Sequence, residues 1–319
     1  MPVSSNVRHH TSPAQPFIAS IKPNSGAPLS KPKLKSILTK DIFEIFKDNN
    51  VPEDMISNIE DKIAELGAFI PTVGIFGKTG AGKSSLCNSL FGKDTAKVND
   101  VHACTRAPQE IFVKISEAGS GIKLIDLPGV GENQVRDSEY ADLYKQWIPK
   151  LDLVVWVIKA DDRTFSIDEQ FYETVVKQSI SASGTPFLVV INQVDKINPI
   201  REWDEVNRRP GHEQMKIVGQ RTEWAAGKFQ ISSEHIVAVS ACEKYNLGAL
   251  VEAIVDIVPN EKKLGFLHQI ENDFITEKSK ESVIRGVVEY IKKIYVEVKP
   301  YIPTIIRGIR LAIKLWKGI

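Results

Sequence analysis

Apolar residues follow two alternating patterns along the chain, short continuous runs and longer runs at helical spacing. The continuous runs predict β-strands near residues 72–76, 110–116, 122–126, 152–158, 186–191 and 236–240. Helical patterns fill the intervals, and residues 153–158 are apolar at every position. Such strands are typical of a parallel sheet that is covered by helices on both faces. The pattern therefore predicts an α/β fold with a mainly parallel sheet.

The pattern changes at both ends of this α/β region, which takes residues 70–259. Residues 1–36 are rich in Pro, Ser, Lys and Asn. They predict a disordered basic arm, because too few large apolar residues are present to offset the entropy of ordering. Residues 37–69 predict N-terminal helices, and residues 260–319 predict a helical extension with a basic amphipathic C-terminus.

The end of the extension has an apolar face and a cationic face. The apolar face holds Ile302, Ile305, Ile306, Ile309, Ile313 and Trp316, and the cationic face holds Arg307, Arg310, Lys314 and Lys317. A helix of this kind can lie in the interface of a bilayer, pack onto the rest of the protein or a partner protein, or contact an RNA backbone. Reversible contact with a membrane surface is the leading interpretation, and the other two remain open.

Composition and charge exclude several classes of protein. The chain has 319 residues, 42% hydrophobic and 25% charged, which excludes a wholly disordered or fibrous protein. Its net charge of +1 combines two basic ends with an acidic middle. The three cysteines lack the spacing of metal ligands, and no apolar run suits a membrane span or a signal peptide. We expect a cytoplasmic protein, with peripheral contact at the inner face of the membrane as an alternative.

The first strand ends in a glycine-rich run, GKTGAGKSS, that fits G-x-x-x-x-G-K-[ST] between a strand and a helix. Its glycines let backbone N–H groups converge on phosphate oxygens, and the following helix directs its positive end to the same place. We expect Lys83 to contact the β- and γ-phosphates and the Ser84 hydroxyl to ligate Mg²⁺. The predicted loop consists of Gly77, Lys78, Thr79, Gly80, Ala81, Gly82, Lys83, Ser84 and Ser85.

Polar residues also follow three later strands. Asp126 ends the run before Gly129 and is expected to hold Mg²⁺ from its outer coordination sphere, while the Gly129 N–H can meet a γ-phosphate. Residues 130–137 would then form a nucleotide-sensitive switch.

The Asp195 carboxylate can accept the N1–H and N2 amine of guanine, whereas adenine offers no N1–H. A backbone N–H near Ser240 can meet guanine O6. The predicted base site consists of Asn192, Gln193, Asp195, Lys196, Ser240 and Ala241.

These motifs together resemble those of the translation-factor-type (TRAFAC) GTPases, specifically the Era-like group. The runs GKTGAGKSSLCNSLF, DVHACTR and IDLPGVGE are similar to bacterial YfjP/YeeP-type G-domain proteins. The resemblance implies a P-loop NTPase G domain over residues 70–259, Mg²⁺-dependent binding of a guanine nucleotide, and hydrolysis of GTP to GDP and phosphate. It also implies that Thr105 ligates Mg²⁺ in the GTP state, with Thr95 as the alternative, and that Lys83, Thr105 and Gly129 form the catalytic set.

The chain departs from the family pattern at three positions. Val130 stands where Ras-type GTPases place the glutamine that orients the attacking water. Hydrolysis is therefore expected to be slow unless Glu132, Gln134, a second protomer or a partner protein supplies a polar group. Gly80 replaces the asparagine of potassium-stimulated relatives. Gln193 replaces the lysine whose stem usually covers the base, which predicts a somewhat weaker affinity.

The predicted function is a nucleotide-state switch that binds and slowly hydrolyses GTP. A poorly hydrolysing GTP-binding scaffold that recruits partners or a membrane surface is the alternative, and an ATP-using P-loop enzyme such as a kinase would need a different base site. The expected partners are the guanine nucleotide and either a second copy of the chain or an activating protein. The resemblance also implies RNA or ribosome contact, although no RNA-binding domain is recognisable.

Overall fold

A computed structural model of the protein describes residues 44–92, 109–114, 121–127, 134–162 and 170–317. The predicted arm, Thr95, Thr105, Gly129, Val130 and Glu132 lie outside the described residues. Within them the chain alternates strands and helices, as the apolar pattern predicts.

One six-stranded sheet forms the centre of the protein. Its strands are β1 (Thr72–Phe76), β2 (Gln109–Lys114), β3 (Gly121–Asp126), β4 (Leu153–Lys159), β5 (Phe187–Asn192) and β6 (Ile236–Ala238), in the order β2-β3-β1-β4-β5-β6. Among the described strands, only the β2–β3 pair is antiparallel, and the four other pairs are parallel. The prediction of a mainly parallel sheet is confirmed.

Helices cover both faces of the sheet, since β1, β4, β5 and β6 are buried on both sides. The described helices are α1 (Glu53–Gly67), α2 (Lys83–Phe91), α3 (Gln134–Trp147), α4 (Lys177–Ser183), α5 (His212–Phe229), α6 (Leu247–Ile257), α7 (Asn260–Gln269), α8 (Glu277–Ile294) and α9 (Ile302–Lys317). Residues 44–47 are also helical, and a π-helical segment, Tyr172–Val176, precedes α4. Three-residue 3-10 turns follow β5 and precede β6, and a longer 3-10 segment, Val296–Tyr301, joins α8 to α9.

Parallel pairing brings the carboxyl ends of five strands to one edge of the sheet. Phe76 of β1 is in register with Trp156 of β4, and Lys159 of β4 is in register with Asn192 of β5. Residues that follow these strands are therefore neighbours in space although they are far apart in sequence. This is the edge at which ligands of open α/β sheets bind.

The face of the sheet that carries α2 holds one large apolar cluster. It includes buried residues from α1, α2, α6, α7, α8 and α9. The N-terminal helices and the C-terminal helices contact each other there, since Gly265 of α7 lies against Phe69 and His268 bonds the Gly67 carbonyl. Helix α1 and the C-terminal helices thus share a core. The division into residues 1–36, 37–69, 70–259 and 260–319 stays a prediction.

The apolar face of α9 is buried inside the protein. Ile305, Ile309 and Ile313 are each at most 3% exposed and belong to the shared core. The structure therefore favours docking onto the rest of the protein over membrane contact through this face, because the residues that would enter the bilayer are already covered. Among the residues described, no helix is both long enough and apolar enough to cross a membrane.

Candidate functional site

The glycine-rich loop after β1 closes at the binding edge of the sheet. Gly77 and Gly82 have φ angles of 134° and 87°, in the region that favours glycine. A Cβ at Gly77 would overlap the Val157 carbonyl of β4, and one at Gly82 would overlap the Asn192 amide. The loop can pass so close to β4 and β5 only because both positions lack a side chain.

Helix α2 begins directly after this loop, at Lys83. The Lys83 ammonium group donates to the carbonyls of Gly77 at 2.8 Å and Lys78 at 3.1 Å, so the side chain folds back over the loop. Ser84 lies half-buried in the first turn of the helix, while Thr79, Gly80 and Ser85 are exposed. The cationic group and the positive end of the helix therefore meet in one place, which is the arrangement that binds an anion.

Asn192 connects the loop to the segment after β6. Its amide nitrogen donates to the Ala81 carbonyl at 2.9 Å, and its amide oxygen accepts from the Ala241 N–H at 3.0 Å. The side chain is 1% exposed, so each of these bonds is made away from water. A second link holds the same segment, because the Ser89 hydroxyl of α2 donates to the Ala241 carbonyl at 2.8 Å.

Replacing Asn192 by alanine should destabilise the protein, because the Ala241 N–H would lose its partner in a buried setting. We expect the free energy of unfolding to fall by about 1–3 kcal/mol. Denaturant unfolding monitored by circular dichroism measures it. Asn207→Ala is the matched control, since Asn207 makes its bonds to Asp204 at the surface. Equal stability of the two variants would contradict this account.

Gln193 also binds the loop. Its backbone is left-handed, with φ of 65°, and its amide nitrogen donates to the Gly80 carbonyl at 2.7 Å. The amide oxygen accepts from the Lys196 ammonium at 3.1 Å. A neutral amide therefore contacts the loop where the family usually has a lysine, and Lys196 supplies a positive charge beside it.

Asp195 holds a buried oxygen atom with no partner. It lies in the 3-10 turn Val194–Lys196, which is fixed to the end of β6 by the bond from the Val194 N–H to the Val239 carbonyl. Its Oδ1 atom is inaccessible to solvent, and no hydrogen-bond donor of the described chain reaches it. Burying a carboxylate oxygen without a donor is unfavourable. The arrangement fits a ligand that brings its own N–H groups, as guanine does.

The N–H donors predicted to contact guanine O6 are engaged within the protein, so that contact stays a prediction. The N–H groups of both Ser240 and Ala241 already donate within the protein, to the Tyr245 carbonyl at 3.2 Å and to Asn192. The Ser240 side chain is buried and accepts from the Glu243 N–H. Neither backbone group is therefore available for guanine O6 without giving up its present bond. The next N–H along the segment is that of Cys242.

The structure brings together the loop, Asn192, Gln193, Asp195, Lys196, Ser240 and Ala241 through these bonds. Asp126 ends β3 at the same edge of the sheet. Asp162, which was not predicted as a site residue, follows β4 and places its carboxylate 3.7 Å from the Lys78 ammonium. Its place in the site could have been predicted from the sequence, because residues after β4 must lie beside the loop once β4 pairs with β1. The Ser89 link could not be predicted, because it depends on how far α2 extends.

Comparison with known proteins gives an independent view of the chain. Residues 72–193 match the family described as 50S ribosome-binding GTPase. The uncharacterized protein YfjP of Escherichia coli (strain K12) is 35% identical over 268 residues, which is 83% of this chain and 90% of the relative. YkfA of the same strain is 33% identical over 267 residues, with the same coverage. GTPase Era of Aquifex aeolicus (strain VF5) is 28% identical over 199 residues, 60% of this chain and 58% of Era.

Proposed function

Because the chain belongs to the Era-like P-loop GTPases, in the group of YfjP and YkfA, we propose that it binds guanine nucleotides with Mg²⁺ and slowly hydrolyses GTP to GDP and phosphate. The observation that carries the proposal is the buried, unpartnered Oδ1 atom of Asp195 at the edge of the sheet where the glycine-rich loop closes. A loop of this kind binds any nucleoside triphosphate. A buried carboxylate oxygen beside it selects a base with N–H donors.

The proposed binding mode assigns one role to each part of the site. The N–H groups from Lys78 to Ser85 surround the phosphates, and the Lys83 ammonium moves from its carbonyl partners onto the β- and γ-phosphates. Asp195 accepts from guanine N1 and N2, while Gln193 and Lys196 border the base. We assign the O6 contact to the Cys242 N–H, since Ser240 and Ala241 are engaged.

Catalysis in such a site consists mainly of positioning and charge neutralisation. Lys83 stabilises negative charge on the transferring phosphoryl group, and the Gly129 N–H orients its terminal oxygens. Ser84 and Thr105 would ligate Mg²⁺ and Asp126 would hold it from the outer coordination sphere; the bound ion would neutralise negative charge on the phosphates. Thr105 and Gly129 would respond to the loss of the γ-phosphate, and this response is the proposed switch.

The proposed rate follows from Val130. An apolar side chain offers the attacking water no hydrogen bond, so turnover by the protein alone should be near 10⁻⁴ to 10⁻³ s⁻¹, roughly the intrinsic rate of a GTPase that lacks its activator. Single-turnover assays with radiolabelled GTP, run at low and high protein concentration, measure it. A rate that rises with protein concentration would indicate that a second copy completes the site.

Two outcomes of that assay would count against the proposal. Faster hydrolysis of ATP than of GTP would contradict the assignment of the base site. Tight GTP binding without hydrolysis at any concentration would favour the scaffold alternative, for which Val130 is the supporting observation.

A further inference from the structure

Helices α8 and α9 form a hairpin whose tip is apolar. The helices run antiparallel, since Arg310 in the second half of α9 pairs at 2.6 Å with Glu281 near the start of α8. At the connection, Ile294 is 41% exposed and Val296 is 66% exposed. Two aliphatic side chains separated by one residue thus project from the same short segment.

Cationic side chains surround this tip. Lys293 and Lys299 are exposed on either side of the two aliphatic residues, and Arg307 and Lys314 lie on the exposed stripe of α9. None of these four cations has an ion-pair partner among the residues described. Glu297 is the one acidic residue of the segment 293–299 and is exposed, so this segment has a net charge of +1. The tip and the outer face of α9 therefore combine apolar contact area with a net positive charge.

Packing inside the protein accounts for the apolar face of α9 but not for the tip. Ile305, Ile309 and Ile313 lie in the shared core, whereas Ile294 and Val296 face solvent. The apolar face of α9 thus packs in the core, and the exposed residues Ile294 and Val296 form a second, smaller apolar surface that the core does not cover. The proposal below concerns this surface and does not depend on nucleotide binding.

We propose that the hairpin tip, residues 293–299, docks into the interface of a lipid bilayer that contains anionic lipids. Ile294 and Val296 would enter the boundary between headgroups and acyl chains, and Lys293 and Lys299 would lie at the level of the lipid phosphates. Tyr295 lies within the tip and Tyr301 follows it; both are half-buried against the shared core, and tyrosine is a residue type enriched at membrane interfaces.

The chemistry of the tip favours lipid over RNA. Both ligands present phosphates, and the lysines alone do not distinguish them. Proteins that bind single-stranded RNA add exposed aromatic side chains for base stacking, whereas the exposed hydrophobic residues of the tip are aliphatic. Aliphatic side chains gain nothing from a polyphosphate surface, but they gain burial in a bilayer interface.

The geometry of the hairpin predicts how far each cation would lie from the membrane. At 1.5 Å per residue, Arg307 is about 8 Å along α9 from its first residue and Lys314 about 18 Å. Charges further than about 8 Å from a surface are largely screened at physiological ionic strength. If the hairpin enters tip first, Lys293 and Lys299 contribute most to binding and Lys314 contributes little.

Sedimentation of the full-length protein with vesicles tests the proposal. The vesicles are phosphatidylcholine with or without phosphatidylserine, and the variants are Ile294→Ser/Val296→Ser and Lys293→Glu/Lys299→Glu. We expect wild-type protein to bind the anionic vesicles only, and each double variant to bind at least about tenfold more weakly. Ile200→Ser/Val206→Ser is the matched control for lost aliphatic surface, since both residues are exposed in another loop. Arg201→Glu/Arg208→Glu is the control for altered charge.

Each outcome supports or overturns the proposal. Unfolding temperatures equal to that of the wild type show that the variants fold, so lost binding can be assigned to the tip. Wild-type protein that fails to sediment with anionic vesicles overturns the proposal. Sedimentation that depends on the lysines but not on Ile294 and Val296, and that a homopolymeric RNA displaces, also overturns it in favour of RNA contact.

Discussion

Replacing Lys83 by alanine is expected to abolish nucleotide binding at micromolar concentrations of ligand. In the structure the Lys83 ammonium group donates to two loop carbonyls, so it lies within the loop that would hold the phosphates. Its removal deletes the two charge-assisted hydrogen bonds that it would make to the β- and γ-phosphates, of about 1.5–3 kcal/mol each. Together they correspond to a loss of roughly 10²- to 10⁴-fold in affinity. Titration with a fluorescent guanine nucleotide measures the effect.

Two further variants make this result specific. Lys83→Met keeps the aliphatic stem and removes only the charge. It should also fail to bind nucleotide, which would assign the loss to the charge even if Lys83→Ala is partly unfolded. Lys216→Ala removes a lysine from the surface of α5 and should bind as the wild type does. Wild-type affinity in Lys83→Met would show that the phosphates bind elsewhere.

Replacing Asp195 by asparagine is expected to change the preferred base from guanine to xanthine. The carboxylate accepts two N–H donors from guanine, whereas the amide can donate where xanthine has an acceptor. Sites of this type reject the wrong ligand by about 10⁴-fold or more, because a buried polar group is left unpaired. Asp195 suits such a role because its Oδ1 atom is buried and has no partner within the described chain. Competition among guanine, xanthine and adenine nucleotides measures the preference.

The matched control for this exchange is Asp142→Asn, at an exposed position of α3. It should leave guanine preference unchanged. If Asp195→Asn also retains full preference for guanine, then the carboxylate does not read the base, and the assignment of the site is wrong. Loss of binding to every nucleotide would instead point to a disturbed turn at Val194–Lys196, which thermal unfolding can detect.

The strands could be predicted because a parallel sheet buries both faces of each strand. The continuous apolar runs before Gly77 and Asn192 therefore identify β1 and β5 to within one residue. The last strand was predicted too long. It ends at Ala238, because the Ser240 N–H pairs with the Tyr245 carbonyl in a local turn rather than with β5.

The residues of the candidate site could be predicted from the sequence, but some of its hydrogen bonds could not. Parallel strand order is enough to place Asp195 beside the loop, since both follow strands of one sheet. The bond from Ala241 to Asn192 depends on the fold of the segment after β6, which leaves no periodic signal. Similarly, an amphipathic pattern identifies the apolar face of α9 but not the surface that covers it.

The apolar cluster shared by α1 and the C-terminal helices determines how the protein unfolds. Leu90 of α2 lies in that cluster, and its carbonyl accepts from the Glu271 N–H beyond α7 at 2.9 Å. The helix that begins at Lys83 is thus held in place by residues from the C-terminal third of the chain. A shortened protein that stops at residue 259 would expose the apolar surfaces of α1, α2 and α6, so it should aggregate. Heating should melt α1, the C-terminal helices and the phosphate loop in a single cooperative step.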